Sequence, residues 1–298
     1  MTIPQSPAFA ACLNPATVSG LSFEDVAIAA ATAGITHIEA SIQQVVAYGP
    51  ARAAALLNKI GVRVAAACGL LPDGPVLPYP LLVDEATYAR ALGGLGERLA
   101  AFTAIGCPVA TTVINPWTDL EPPAVRELAI TRLQALAGAC ADHGVTLAVE
   151  PVSVRCGLPS SLVGANAFVT DLPQLVRLLD DLTGMVPPTA VGLCVDSFHW
   201  AASGANSAHL TELGSWLIAH VQIADVPATP GADAWTDEMR LFPGDGALPW
   251  DTFTRALVAA GYRGPVSVEL FNPRLRRLPV DEITRRTVAA VRTLNGER

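Results

Sequence analysis

Residues 144–151 read GVTLAVEP: a glycine, an apolar run rich in strand formers, then Glu150 and a proline. The pattern recurs in AVGLCVDSFHW at 190–200, whose run ends on Asp196, in IAHVQIADV at 218–226 around Gln222, and in GPVSVELFN at 264–272 on Glu269. Near-continuous apolar runs of this length are what strands covered on both faces require. If the four runs are successive parallel strands of a closed barrel, their polar side chains converge at one mouth. Three carboxylates and an amide oxygen around one point repel each other unless a cation lies between them. Hard oxygen donors of this kind suit Mn2+ or Mg2+.

Working outward, a glycine closes a helical stretch and a strand-like run follows in GITHIEA from Gly34, GVRVAAAC from Gly61, GCPVATTVIN from Gly106 and GYRGPVSVE from Gly261. Glycine just past a helix can adopt the left-handed conformation that ends it. Strands are predicted at 9–13, 36–40, 62–68, 109–114, 145–149, 190–195, 220–224 and 266–270. Eight is the number that closes a (β/α)8 TIM barrel, here a single domain over residues 1–298. Ser22 with Asp25, ahead of VAIAAATAG, predicts a helix N-cap. A doubly wound open sheet is the alternative, but no GxGxxG or GxxxxGK[ST] loop follows any strand. The longer connections at 69–85, 151–171 and 226–249 follow strands, so they are expected at the mouth.

Composition narrows the function. The chain is 51% hydrophobic and 15% charged, with net charge −8, and no basic face for nucleic acid is visible. The RLRR of 274–277 reads as a solvated loop. The start, MTIPQSPAFAACLNP, has no basic n-region and is broken by prolines, so no secretory signal is expected. No apolar run approaches the roughly 18 residues of a membrane span. The six cysteines show no CxxC pairing and are read as buried, reduced thiols of a cytoplasmic protein.

Asp196 and His199 form a D-x-x-H, in which the aspartate would reach a metal and the imidazole point into the cavity to hold a hydroxyl or carry a proton. Gln222 and His220 are two apart and share a strand face, with Gln222 nearer the mouth; His220 is read as support beneath it. Glu39 ends its own predicted strand and is a further candidate for such support, whereas His37 is read as packing and His143 as a helix C-terminal residue. Arg240, before LFPGDG, and Arg155 could each clamp a substrate oxygen. Asn14 and Asn115 end their strands and could donate into the mouth, and Trp117, Trp200 and Trp235 fall in loops after strands, where packing is the simpler role.

With LAVEP, VDSFH, HVQIAD, FPGDG and GYRGPVSVEL in view, the chain resembles the sugar phosphate isomerase/epimerase superfamily, the xylose isomerase-like TIM barrels, over nearly its whole length. Members include hydroxypyruvate isomerase, ketose 3-epimerases, inosose dehydratase and 3-dehydroshikimate dehydratase. The resemblance implies one divalent ion, Mn2+ or Mg2+ with Co2+ or Zn2+ as further candidates, held by Glu150, Asp196, Gln222 and Glu269. It implies substrate contacts from His199 and Arg240, and pairing of barrels through their loop faces into a homo-oligomer. Glutamine rather than histidine at the third ligand position looks more like hydroxypyruvate isomerase and the dehydratases. The basic anchor of the 3-dehydroshikimate dehydratases is absent from CGLLPDG at 68–74. No phosphate loop or basic cluster is present either, so the substrate is read as an unphosphorylated sugar or polyol.

The chemistry expected of such a site is proton abstraction α to a carbonyl, with Glu150 and Glu269 as base and acid. Returning the proton gives isomerisation or epimerisation. Loss of a β-hydroxyl, with His199 as acid, makes the protein a lyase of the dehydratase type, and cleavage of a keto-glycoside is a related outcome. A DNA-repair endonuclease on the same barrel would need more histidines than the five present and a basic groove. A barrel reduced to binding is disfavoured by four intact ligand positions.

Overall fold

The structure is a computed structural model that describes residues 9–72, 81–213 and 216–297. Eight parallel strands close into a barrel: β1 (Ala11–Leu13), β2 (His37–Ser41), β3 (Arg63–Cys68), β4 (Val109–Ile114), β5 (Thr146–Pro151), β6 (Val191–Asp196), β7 (Ile218–Ile223) and β8 (Val266–Val268). Each pairs with the next, and β8 pairs back to β1 with Leu13 beside Val268. The expected (β/α)8 barrel is therefore present, and the open-sheet alternative is ruled out by that last pairing.

Helices return the chain between strands, and their local signals are those the sequence carries. Ser22 Oγ accepts from Asp25 N at 3.2 Å to cap helix Phe23–Thr32. Helix Pro122–Ala141 ends in a turn at Gly144, whose φ of 70° favours glycine, and Val145 N then bonds Cys140 O as the chain enters β5.

Two apolar layers result. The large one lies between barrel wall and helices, where Leu147, Val191, Leu193 and Val221 meet residues such as Phe102, Leu133 and Phe253. Burying each of these removes enough apolar surface to contribute roughly 2 kcal/mol. The second is a small plug of Ala66, Val109, Ala148 and Cys194. Strand side chains alternate, so residues two beyond the plug, Glu150 and Asp196, face the same way and lie nearer the C-terminal mouth.

Strand ends differ in detail from expectation. Glu150 and Asp196 lie within β5 and β6 rather than just after them, and β7 begins two residues earlier than predicted. Glu39 sits inside β2, which continues to Ser41, and β8 stops at Val268, one residue before Glu269. A short antiparallel pair, Trp117–Thr118 with Asn166–Ala167, was not anticipated. Gly164 fits against it because a Cβ there would lie 2.2 Å from the Thr118 carbonyl carbon. Part of the 69–85 connection, residues 73–80, lies outside the described residues, as do residues 1–8 of the sequence start. All six cysteines are free, and burial pushes the Cys107 and Cys140 thiols up to about 12, as expected of inert thiols. Cys12 and Cys194 are buried too, but against expectation Cys68 is half-buried and Cys156, in the connection after β5, is exposed. Among the described residues no helix is long and apolar enough to cross a membrane.

Candidate metal centre

The β5–β8 half of the barrel brings its acidic groups to one point. One ligand atom from each of Glu150, Asp196 and His199 lies within 4.8 Å of the other two. His199 arrives there because Asp196 caps the short helix Ser197–Ala202, its Oδ1 accepting from Phe198 N at 2.6 Å. His199 Nε2 is then 3.8 Å from Glu150 Oε1, while Nδ1 faces the Ser153 amide at 3.4 Å. Gln222 is flanked by register partners Asp196 on β6 and Ser267 on β8. Its Nε2 donates to Glu269 Oε1 at 3.0 Å and to Glu39 Oε2 at 3.3 Å, while its oxygen faces Cys194 Sγ at 3.5 Å.

The 226–249 connection delivers a cation into this acidic ring. Arg240 is 1% exposed; its Nη1 pairs with Asp196 Oδ2 and lies 3.5 Å from Glu269 Oε2. Its Nε and Nη2 donate to Asp237 Oδ1 at 2.9 and 2.8 Å, and Nη2 is 3.2 Å from His199 Nε2. The rings of Phe198 and Phe271 lie 4.8 and 5.2 Å from the guanidinium carbon. Asp225 holds this connection in place. It exchanges backbone bonds with Leu241, and its carboxylate accepts from the amides of Val226, Gly244 and Leu248 and from Trp250 Nε1, each at 2.8 Å. A Cβ at position 246 would lie 2.2 Å from Val226 O, so FPGDG needs its second glycine there.

Beneath the ring, Glu39 is buried and linked across the lumen to His220 Nε2 at 2.8 Å and Asn14 Nδ2 at 2.9 Å. Asn14 also donates to Glu269 Oε1 at 3.2 Å, so β1, β2, β7 and β8 are tied by one network.

The network sorts the charges. Burial, and then the neighbouring Asp196 and Glu269, hold the Glu150 carboxyl well above the usual range. Burial raises Glu269 likewise, against the opposing pull of Arg240. Burial also acts on Glu39, but His220 and bonds from Ser267 and Gln222 outweigh it and keep that carboxyl low. Burial depresses His199, only partly countered by Asp196, so the imidazole is neutral at physiological pH. Arg240 stays charged because Asp196, Asp237 and Glu269 more than offset its burial. Glu39, Glu150, His199, Asp237, Arg240 and Glu269 wall a cavity of about 130 Å3, whose lining also includes Asn14, Thr111, Val152, Gln222 and Phe271.

The model of the xylose isomerase-like TIM barrel family matches residues 27–294. The chain belongs to this family. An inosose isomerase of Bacillus velezensis is 37% identical over 201 residues, 67% of this chain and 66% of that protein. A 3-dehydroshikimate dehydratase of Pseudomonas aeruginosa is 35% identical over 100 residues, 33% of this chain but 16% of that protein. The matches thus span less than two thirds of these relatives. Among solved structures, the IolI protein with a bound zinc atom superposes with a TM-score of 0.78 at 21% identity, over 96% of this chain and 98% of that one, a likeness of fold. Family members named by activity here are isomerases and dehydratases, which are enzymes.

Within the family fold the donor set suits a divalent ion. Glu150, Asp196 and Glu269 supply hard oxygens and His199 a nitrogen, and the raised pKa values of Glu150 and Glu269 reflect charge crowding that a cation relieves.

The structure gathers Glu150, Asp196, Gln222, Glu269, His199, Arg240 and Asn14 at the mouth. It places His199 in the tightest acidic cluster and uses the Gln222 nitrogen to bridge Glu39 and Glu269, an arrangement sequence order does not reveal. Arg155 is not brought to the cavity: it is exposed, 5.4 Å from the Trp117 ring, and bonds Gly164 O. Asn115 is buried outside the lining, its Oδ1 accepting from Leu82 N at 3.1 Å. Trp200 packs on Phe253 and Trp235 on Phe198, as ordinary packing predicts. Sequence reading missed Asp237 and Phe271. Asp237 stands three residues before Arg240, a spacing at which two side chains meet, and that was the available signal.

Proposed function

We propose that the protein is a divalent-metal-dependent isomerase or epimerase of an unphosphorylated keto-sugar or cyclic polyol, working by proton abstraction α to a carbonyl. The observation that carries this reading is the convergence of Glu150, His199 and Glu269 on one cavity at the C-terminal ends of the strands, with Asp196 behind its wall, a ligand atom within 4.8 Å of those of Glu150 and His199. Glu150, Asp196 and Glu269 are the proposed oxygen ligands, with Gln222 as fourth donor once its amide oxygen is turned from Cys194. The ion, when bound, would supply Lewis acidity to a substrate carbonyl and its neighbouring hydroxyl.

The chain's own groups account for the rest. Glu150 has only the neutral His199 imidazole, at 3.8 Å, where Glu269 has the Arg240 guanidinium at 3.5 Å, so it is the freer of the two glutamates to take a proton. Glu269 accepts from Asn14 and Gln222, which fixes its carboxylate for returning one. Neutral His199 can hold a substrate hydroxyl, and Phe271 offers an apolar wall. A neutral substrate is favoured because Arg240 is the one Lys or Arg among the described lining residues, and its charge is spent on carboxylates. Arg98 and Arg132, near the connection after β3, are likewise occupied, by the carbonyls of Leu70, Ala91 and Gly93 and of Leu81 and Val83.

The same site would serve a lyase, a second reading favoured by the identity with the 3-dehydroshikimate dehydratase. Mass spectrometry decides between them, with Mn2+-loaded protein in heavy water and a panel of keto-sugars, inosose and dehydroshikimate. Deuterium gained without loss of water, and absent with Glu269→Gln, is the expected result. Loss of water moves the protein to the lyases, and no change in any compound removes the proposed substrate class.

A further inference from the structure

Arg240 has the position of a competitor rather than a bystander. Both oxygens of Asp196 are already engaged: Oδ1 accepts from Phe198 N at 2.6 Å and Oδ2 takes Arg240 Nη1. The same Nη1 lies 3.5 Å from Glu269 Oε2, the oxygen of that residue turned away from Asn14 and Gln222. One guanidinium nitrogen therefore faces the two oxygens that a divalent ion would use to join β6 to β8. Asp237 holds the other side of the guanidinium, through Nε at 2.9 Å and Nη2 at 2.8 Å, and no other carboxylate bridges those two nitrogens among the described residues.

We propose that Arg240 serves as the site's internal counter-cation, occupying Asp196 and Glu269 until a divalent ion displaces it, with Asp237 as the positioning residue that keeps the displaced guanidinium beside the cavity. This rests on the metal-dependent reading of the site. The logic is electrostatic. Carboxylates crowded in a buried ring cannot stay ionised and ordered without a positive partner, and a tethered arginine provides one before the ion arrives. A planar guanidinium can do this because its separate nitrogens engage Asp237 and Asp196 at once. When Nη1 is released, Nε and Nη2 still have Asp237, so Arg240 gains a free donor next to a bound substrate. Asp225 keeps the travel short by pinning the chain on the far side of Arg240, at Leu241, Gly244 and Leu248.

Crystals grown with a chelator and then soaked in Mn2+, with the ion located by anomalous scattering, test this directly. The expected result is an ion on Asp196 and Glu269, Arg240 Nη1 beyond hydrogen-bonding distance of Asp196, and Nε still on Asp237. An ion on Asp196 with Nη1 unmoved overturns the proposal and leaves the metal reading standing. A site that never takes an ion removes both. Calorimetric titration of metal-free Arg240→Lys with Mn2+ gives a second reading at constant charge. Lysine cannot span Asp237 and Asp196 together, so loss of the competing charge-assisted bond should tighten Mn2+ binding by about tenfold or more. Unchanged affinity counts against displacement.

Discussion

At the mouth of the barrel, a cavity of about 130 Å3 is walled by Glu39, Glu150, Glu269, Asp237, His199 and Arg240. At the opposite end, a wider cleft of about 580 Å3 is walled by His37, Asn58, Arg63, Thr103 and Tyr262, without a carboxylate among its described lining residues. Size points to the lower cleft and chemistry to the mouth. The difference follows from the barrel's polarity: the connections leaving the C-terminal ends carry Asp237, Arg240 and Phe271, whereas turns entering the strands are short and carry glycine and proline. His220 touches both regions, lining the lower cleft while its Nε2 pairs with Glu39 of the mouth.

The comparison breaks most sharply on Glu150. Glu150→Gln should slow deuterium incorporation by about 10²- to 10⁴-fold, the range for a lost general base. Asn58→Ala in the lower cleft should leave that rate unchanged. Equal losses in both variants, followed by mass spectrometry, would mean that the mouth is not the reacting end.

His220 tests the link between the two ends. His220→Ala leaves Glu39 buried without its closest partner, and breaking a buried pair of this kind costs about 3 kcal/mol. A fall in urea midpoint of matching size is expected, with no change in slope. A variant as stable as the parent would show that Asn14 and Gln222 suffice to hold Glu39.

The smallest effect belongs to the lower rim. Arg63→Ala, exposed there, should alter stability by less than about 0.5 kcal/mol. Burial first, and Arg63 second, hold His37 below its ordinary 6.5. Removing the arginine should raise the His37 pKa and leave His199 untouched, as read from imidazole proton shifts. The sign for stability follows: the unfolded chain protonates first, so the His37 contribution is present above pH 6.5 and lost as pH falls toward the folded value. A shift of His199 alongside His37 would show the two ends to be coupled electrostatically.

Read alone, the chain determined the barrel and the heart of its mouth. Glycine-closed helices feeding apolar runs leave few architectures, and a polar residue at the end of each run identifies itself because burial there needs a reason. Glu150, Asp196, Gln222 and Glu269 were legible on that ground, as were His199 and Arg240 beside the motifs that carry them. What only the tertiary structure decided is which of these groups touch. Distances across a closed barrel depend on register and on where long connections fold back, and neither has a period in sequence. Glu39 meets His220 across 181 residues of chain. Arg155 ends up tied to its own loop at Gly164 and Asn115 to the preceding connection at Leu82, whereas Asp237 turns inward because it can share Arg240 with Asp196 at the edge of the cavity.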